Sequence, residues 1–296
     1  MENKFTIYLG PECNLDCVMC NIKGVDELNN ETDYDEMVRV LNKRKDEGKY
    51  VGFTGGEPTT HPKIEDLVEQ VYSLGYKGTV MSSNGLRFTD ENFTKSLAEK
   101  GLFHVCVSLH GTQRVHNKIT GQKSYKRAIE GVSNLKKYGV GVSLSSVLQR
   151  MNVNNLNRFY QDVLDMGIKS VTLLDVDYSG KAIKNFKELN IPSRKKKSFF
   201  IKNIDLIKKF DKFAVHNFNP CVIPRDCWED VKQVPRFYKN LFFKFECGLK
   251  GPTPKNPNRV QVEVCNNCML SEICSGFLKK SIEINGKDDV EEMLAV

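Results

Sequence analysis

The 296-residue chain has no run of about eighteen apolar residues, which excludes a membrane-spanning helix. Its first residues, Met1-Glu2-Asn3-Lys4-Phe5-Thr6, lack the basic and apolar regions of a signal peptide, so a cytoplasmic location is expected. No internal repeat or low-complexity tract stands out. Hydrophobic residues make up 40% and charged residues 27%, which argues against disorder. The length suits one large domain, or a domain of about 200 residues with a smaller appendage.

Cysteine, by contrast, is plentiful. In a reducing compartment structural disulfides are rare, so clustered cysteines point to metal or catalysis. Nine of the ten fall into two groups, residues 13–20 and 221–274. The tenth, Cys106, sits in the apolar run Val105-Cys106-Val107 and reads as a strand thiol. The net charge is +7, and much of it lies between Lys181 and Lys212, including Arg194-Lys195-Lys196-Lys197. Such a run reads as a solvated helix face, with a docking surface for an acidic partner as the sharper alternative. The aromatic interleaving of a nucleic-acid binder is thin, so no nucleic-acid partner is expected.

Strand and helix patterns alternate from the start. Strands are expected at Phe5–Leu9, Tyr50–Thr54, Gly78–Ser82, His104–Leu109, Val140–Val147 and Ser170–Leu174. Helical spacing fills Asp33–Asp46, Ile64–Leu74, Asp90–Lys100, Tyr125–Tyr138 and Asn155–Met166 between them. Repeated βαβ units imply a parallel sheet, open or curled into an incomplete barrel, with ligands at the C-terminal strand ends. The notable residues fall at that edge. Cys13 to Cys20 follow strand one and Gly55-Gly56-Glu57-Pro58 follow strand two. Ser83-Asn84-Gly85 follow strand three and His110-Gly111-Thr112 follow strand four. Beyond residue 180 the alternation is expected to stop, with a helix over Ser198–Phe210 and a strand over Phe213–Phe218 before a Cys-, Pro- and Asn-rich region.

The first group reads Cys13-Asn14-Leu15-Asp16-Cys17-Val18-Met19-Cys20. Three thiolates in eight residues can hold three irons of a cubane cluster and leave the fourth open to a chelating ligand. A zinc knuckle is the alternative, but structural zinc takes four ligands, and the histidines are distant in sequence.

This C-x3-C-x2-C after a first strand, with Gly-Gly-Glu-Pro after the second, resembles the radical S-adenosylmethionine (SAM) superfamily over roughly residues 4–180. The resemblance implies an α/β fold, an incomplete parallel (βα)6 TIM-like barrel. It also implies a 4Fe–4S cluster on Cys13, Cys17 and Cys20 whose open iron binds SAM. Reductive cleavage of SAM then yields a 5′-deoxyadenosyl radical that abstracts hydrogen from substrate. Met19 stands where the family commonly has an aromatic residue. Gly55, Gly56, Glu57 and Pro58 correspond to the motif for the methionyl amino group. Ser83, Asn84 and Ser108 lie where the family contacts the SAM carboxylate and ribose. Ser145, with Ser146, and Leu173 are candidates for ribose and adenine. His110 and His116 are candidates for the substrate pocket.

In the second group, Cys265-Asn266-Asn267-Cys268 and Cys274 give C-x2-C-x5-C, with Cys221, Cys227 and Cys247 upstream. The pattern resembles the SPASM and twitch extensions of radical SAM enzymes, which hold auxiliary 4Fe–4S clusters. A full SPASM module has a cysteine where this chain has Leu278, so one auxiliary cluster is expected. Cys265, Cys268 and Cys274 would be its ligands, with Cys221 or Cys247 as the fourth; a four-cysteine zinc site is the alternative. The domains expected are a barrel over 1–180, a basic helical linker over 181–215 and a cluster domain over 216–296.

The function implied is a radical SAM enzyme that modifies a ribosomally made peptide by oxidation, cross-linking or rearrangement. A strand at residue 4 leaves no room for an N-terminal peptide-recognition domain. The alternative is therefore a small-molecule dehydrogenase or cyclase in cofactor or natural-product biosynthesis. Either needs an electron donor such as flavodoxin or ferredoxin.

Overall fold

A computed structural model describes residues 4–28, 31–224, 231–232, 258–268, 274 and 276–295. Five βα steps open the chain: β1 (Lys4–Tyr8), α1 (Tyr34–Lys43), β2 (Tyr50–Thr54), α2 (Ile64–Ser73), β3 (Gly78–Ser83), α3 (Glu91–Glu99), β4 (Leu102–Ser108), α4 (Gln113–Thr120), α5 (Tyr125–Lys137) and β5 (Gly141–Leu148). They are followed by α6 (Leu156–Asp165), β6 (Ser170–Asp175), α7 (Gly180–Lys184), α8 (Phe186–Leu189), α9 (Ser193–Ile207), β7 (Lys212–His216) and β8 (Val231–Lys232). A two-stranded antiparallel pair, β9 (Arg259–Val260) with β10 (Phe277–Leu278), precedes α10 (Lys279–Asn285) and α11 (Asp288–Ala295).

Strand order follows chain order from β1 to β8, and every described pairing among these strands is parallel. The class is the expected α/β one, an incomplete parallel barrel with a Cys-rich C-terminal region. The alternation does not stop at residue 180, however. Helices α7 to α9 lead into β7, which runs parallel to β6 in the register Ser170–Lys212 to Leu174–His216. The sheet therefore carries a seventh strand, and the helix and strand expected over Ser198–Phe210 and Phe213–Phe218 continue the alternation rather than end it.

Each helix forms for local reasons. In α2, Ile64, Leu67, Val68 and Val71 recur at i, i+3, i+4 and i+7 and are at most 2% exposed. Burying each contributes about 1.5–3 kcal/mol before entropy is subtracted. The Asp33 side chain caps α1 through the Glu36 N–H, and Asp90 caps α3 through the Asn92 and Phe93 N–H groups.

Chain contacts define two compact units. The first holds the described residues of 1–146 and 177–185; the second holds those of 147–176, 186–243 and 252–296.

Candidate active site and a second thiol set

The cysteine loop leaves β1 and is fastened to the loop after β2 by backbone alone. Gly56 N–H donates to Gly10 C=O at 2.8 Å, and Glu57 N–H donates to Glu12 C=O at 2.7 Å. That approach explains both glycines. A Cβ on Gly56 would lie 2.2 Å from the Glu12 oxygen, and one on Gly55, whose φ is +141°, would lie 2.4 Å from the Gly10 oxygen. What the glycine pair approaches is thus the backbone that leads into Cys13. The family resemblance implied only a role toward the methionyl amino group.

Glu57 is 3% exposed and saturated with donors. Its Oε1 accepts from Thr59 N–H (3.1 Å), Thr59 Oγ1 (2.7 Å) and Ser83 Oγ (2.7 Å), and its Oε2 accepts from Asn84 N–H (2.6 Å). Burial pushes its carboxyl up from the ordinary value, while these four donors pull it down. One carboxylate therefore fixes the loop after β2 to the loop after β3. Asn84 extends the chain, donating through Nδ2 to Asn14 Oδ1 at 2.7 Å, inside the cysteine loop.

More supports reach that loop from further along the first unit. Gln122 Nε2 donates to Asn14 C=O (2.9 Å), Val18 N–H to Ile119 C=O (3.0 Å), Asn185 Nδ2 to Val18 C=O (2.8 Å) and Ala182 N–H to Cys20 C=O (3.0 Å). Asp16 pairs with Lys181 at 2.6 Å and Lys23 at 3.1 Å, which holds its carboxyl below the usual range. Asp16 is largely exposed, so these pairs add little stability. Asn14, Gln122, Lys181 and Asn185 had no sequence signal, because their roles depend on contacts 70 to 167 residues away.

The three thiols share this braced loop. Cys13 Sγ accepts from Leu15 N–H and Cys20 Sγ from Lys23 N–H, each at 3.4 Å. Burial pushes the Cys17 thiol up to about 12, and the neighbouring Cys13, Cys20 and Asp16 add to the shift. Burial raises Cys13 as well. Three crowded thiols ionise readily only with a strong cation among them, which an iron cluster provides. Among the described residues, no three His, Cys, Asp or Glu side chains close on a single metal ion. Three thiols fall one short of the four ligands that structural zinc takes, and match a cubane with one iron left open.

Of the other candidates, Ser83 and Pro58 are buried beside Glu57, and Met19 is half-buried in the loop. Ser108 and Ser145 meet across β4 and β5 with Oγ atoms 3.2 Å apart, and Ser146 Oγ donates to Leu109 C=O. Leu173 is fully buried in β6 of the second unit, in register with Val215. His110 and His116 are 4% and 1% exposed. His116 Nδ1 accepts from the His110 N–H (3.3 Å) and its Nε2 meets Ser124 Oγ (3.0 Å), so the pair serves the core of α4 and α5.

The second thiol set lies wholly in the second unit. Cys221 sits in the 3₁₀ turn Pro220–Val222 and Cys265 in the 3₁₀ turn Glu263–Asn267, with Cys268 N–H donating to Cys265 C=O at 3.0 Å. Burial pushes the Cys221 thiol up to about 12, with contributions from Cys274, Cys265 and Cys268. Burial raises Cys265 too, with Cys274 and Cys268 adding to the shift. Four thiols separated by up to 53 residues thus influence one another electrostatically. Gly276, at φ +79°, lets the chain pass Val260, whose oxygen a Cβ would meet at 2.2 Å. Its C=O accepts from Asn219 Nδ2 and Arg259 Nη1, at 2.8 and 2.7 Å. Cys227 and Cys247 lie outside the described residues. Leu278 lies in β10.

Residues 7–163, just over half of the chain, match the family model of the radical SAM superfamily. The chain belongs to that superfamily. A protein named as a probable GTP 3',8-cyclase from Saccharolobus islandicus (strain M.14.25 / Kamchatka #1) is 31% identical over 179 residues, 60% of this chain and 58% of its own. The Fe-coproporphyrin III synthase of Methanosarcina barkeri is 28% identical over 179 residues, 60% of this chain and 44% of its own. The chain thus spans 58% and 44% of the length of these two curated relatives. Among solved structures, Streptococcus suis SuiB bound to its precursor peptide SuiA superposes over 96% of this chain and 73% of its own, with a TM-score of 0.64 and 16% identity. The structure of anSMEcpe with bound AdoMet and the Cp18Cys peptide covers 70% of this chain and 60% of its own, with a TM-score of 0.58 and 20% identity. These superpositions bear out the barrel. As a radical SAM enzyme, the chain is expected to use a 4Fe–4S cluster and SAM. Among its described residues no helix is long and apolar enough to cross a membrane.

Proposed function

We propose that this radical SAM enzyme oxidises, cross-links or rearranges a ribosomally made peptide, with a second 4Fe–4S cluster on its C-terminal thiols. The convergence of Cys221, Cys265, Cys268 and Cys274 carries the reading, because four thiols saturate a cubane and suit it to electron transfer. Cys13, Cys17 and Cys20 would hold the first cluster with one iron open. When bound, that cluster and SAM supply the one-electron cleavage that generates a 5′-deoxyadenosyl radical.

The chain's own residues do the positioning. Gly55 and Gly56 seat the cysteine loop against β2, and Glu57 locks Ser83 and Asn84 beside it. The loop backbone after β2 would then face the methionyl amine, and Ser108 with Ser145 would take the ribose. Met19 would contribute apolar surface to the adenosine. Residues 1–180 would form the SAM-cleaving barrel, 181–215 a basic helical connection and 216–296 the second cluster region.

Superposition with a peptide-bound enzyme over 96% of the chain supports a peptide substrate. A second reading, a small-molecule dehydrogenase or cyclase, is favoured by the names of the relatives, which match only 60% of the chain. The deciding experiment profiles peptides and metabolites in a deletion strain, then offers the accumulating species to the reduced, reconstituted enzyme with SAM. A peptide that gains a modification and accelerates 5′-deoxyadenosine release supports the first reading. A nucleotide or tetrapyrrole doing so supports the second.

A further inference from the structure

The basic run on α9 divides into cations that the fold uses and cations that it leaves free. Lys196 is 8% exposed and pairs with Asp175 at the end of β6 at 2.5 Å. Arg194 pairs with Asp289 and Glu292 of α11, and Lys197 Nζ donates to Met293 C=O at 2.8 Å. These three are structural, which corrects the expectation of a simple solvated face.

Lys195, Lys202 and Lys209 differ. All three are exposed, and none has a partner among the described residues. Lys195 and Lys202 lie seven residues apart on α9, two helical turns or about 10 Å, and Lys209 follows two residues beyond Ile207, where the helix ends. Arg158 of α6, also exposed and without such a partner, stands beside Lys202 and Lys209 along an open groove of about 410 Å³. Asp205 is the one carboxylate lining that groove. Ile201, 41% exposed, adds an apolar contact on the same helix. Unpaired cations in a row beside an apolar residue match the rim and anchor of a weak, electrostatically steered protein contact.

We propose that this stripe docks an acidic one-electron carrier protein, which supplies the electron that each SAM cleavage consumes and leaves oxidised by one electron. The position of α9 favours this partner over an acidic peptide. The helix packs against the turn that carries Cys221, and Phe200 stacks edge-on to Phe218 at 5.3 Å, three residues before that thiol. A carrier on the stripe would thus sit on the helix that abuts the second thiol set. The inference rests on the radical SAM chemistry and the second cluster, not on a peptide substrate.

The test uses the full reconstituted chain, a purified acidic flavodoxin as probe, and the triple variant Lys195→Glu, Lys202→Glu and Lys209→Glu. Binding to the wild-type chain should weaken by roughly tenfold as ionic strength rises from about 0.05 to about 0.3 M. The triple variant should bind at least about tenfold more weakly at low salt, chiefly through slower association. Its SAM cleavage driven by dithionite, which needs no docking, should match the wild type, and so should its melting temperature. Unchanged flavodoxin affinity in the variant would overturn the proposal. So would intact flavodoxin binding alongside lost binding of an acidic substrate peptide, which would reassign the stripe to substrate. Loss of dithionite-driven cleavage in the wild type itself would instead count against the function proposed above.

Discussion

The two thiol sets are built in opposite ways. Cys13, Cys17 and Cys20 lie within eight residues, on a loop fastened by Gly56, Glu57, Asn84, Gln122, Ala182 and Asn185. Cys221, Cys265, Cys268 and Cys274 come from segments far apart in sequence, with Asn219, Arg259 and Gln261 as their described braces. The first set lies on a loop that hydrogen bonds from across the first unit brace. The second gathers ligands that the metal itself would tie together, so metal binding there contributes directly to folding. Three thiols would leave one iron of a cubane open to SAM; four would not.

The largest break in this comparison should come from Gly56→Val. Its side chain meets the Glu12 and Pro11 oxygens at 2.2 and 2.3 Å, so the cysteine loop must move. Iron bound by the first set and SAM cleavage should both be lost, while the second set keeps its metal. Iron analysis of a Gly56→Val protein that also carries Cys265→Ala, Cys268→Ala and Cys274→Ala reads the first set alone. Wild-type iron there would show that the loop tolerates displacement.

Glu57→Gln should have the next largest effect. The amide removes the charge and places an NH2 group against at least one donor, costing about 3 kcal/mol of stability in the first unit. SAM affinity should fall at least roughly tenfold, read by equilibrium binding. An unchanged affinity would mean that Ser83 and Asn84 hold their places without the carboxylate.

The fold and the first thiol set were largely legible in the sequence. Periodicity located α2 and α5 to within a residue at their ends, and cysteine spacing with the glycine pair singled out the site. The support of that site was not legible. Asn14 and Asn84 are 70 residues apart, and Asp16 and Lys181 are 165 apart, so only the fold reveals them. The same holds for Lys196, which shares its run with Lys195 yet is buried against Asp175. Composition cannot separate a structural cation from a solvated neighbour.

Acid should weaken the first unit in a defined window. Burial lowers His110 to about 3, with His116 adding to the shift, and lowers His116 itself to about 4, against an ordinary 6.5. The unfolded chain then binds protons that the folded chain refuses. Stability is full above pH 6.5 and falls below it, by roughly 1.4 kcal/mol per pH unit for each histidine once both titrate in the unfolded chain. His116→Gln should flatten that slope, measured by hydrogen exchange in α4 and α5 between about pH 6.5 and pH 5. A slope equal to that of the wild type would remove the histidine from the account.

The smallest effect concerns the second unit. Asp289 caps α9 by accepting from Ser193 N–H at 2.6 Å and Arg194 N–H at 3.3 Å. Asp289→Ala should cost about 1–2 kcal/mol without changing SAM cleavage, read by denaturant unfolding beside an activity assay. A drop in cleavage would show that the two units are more tightly coupled than their separate thiol sets imply.

The most direct measurement is the metal content of a chain with Cys13, Cys17 and Cys20 all replaced by alanine, reconstituted without oxygen. About four irons should remain, in a brown protein that binds no SAM and releases no 5′-deoxyadenosine. Stoichiometric zinc without iron, or SAM cleavage retained at the wild-type rate, would contradict the division of work between the two thiol sets.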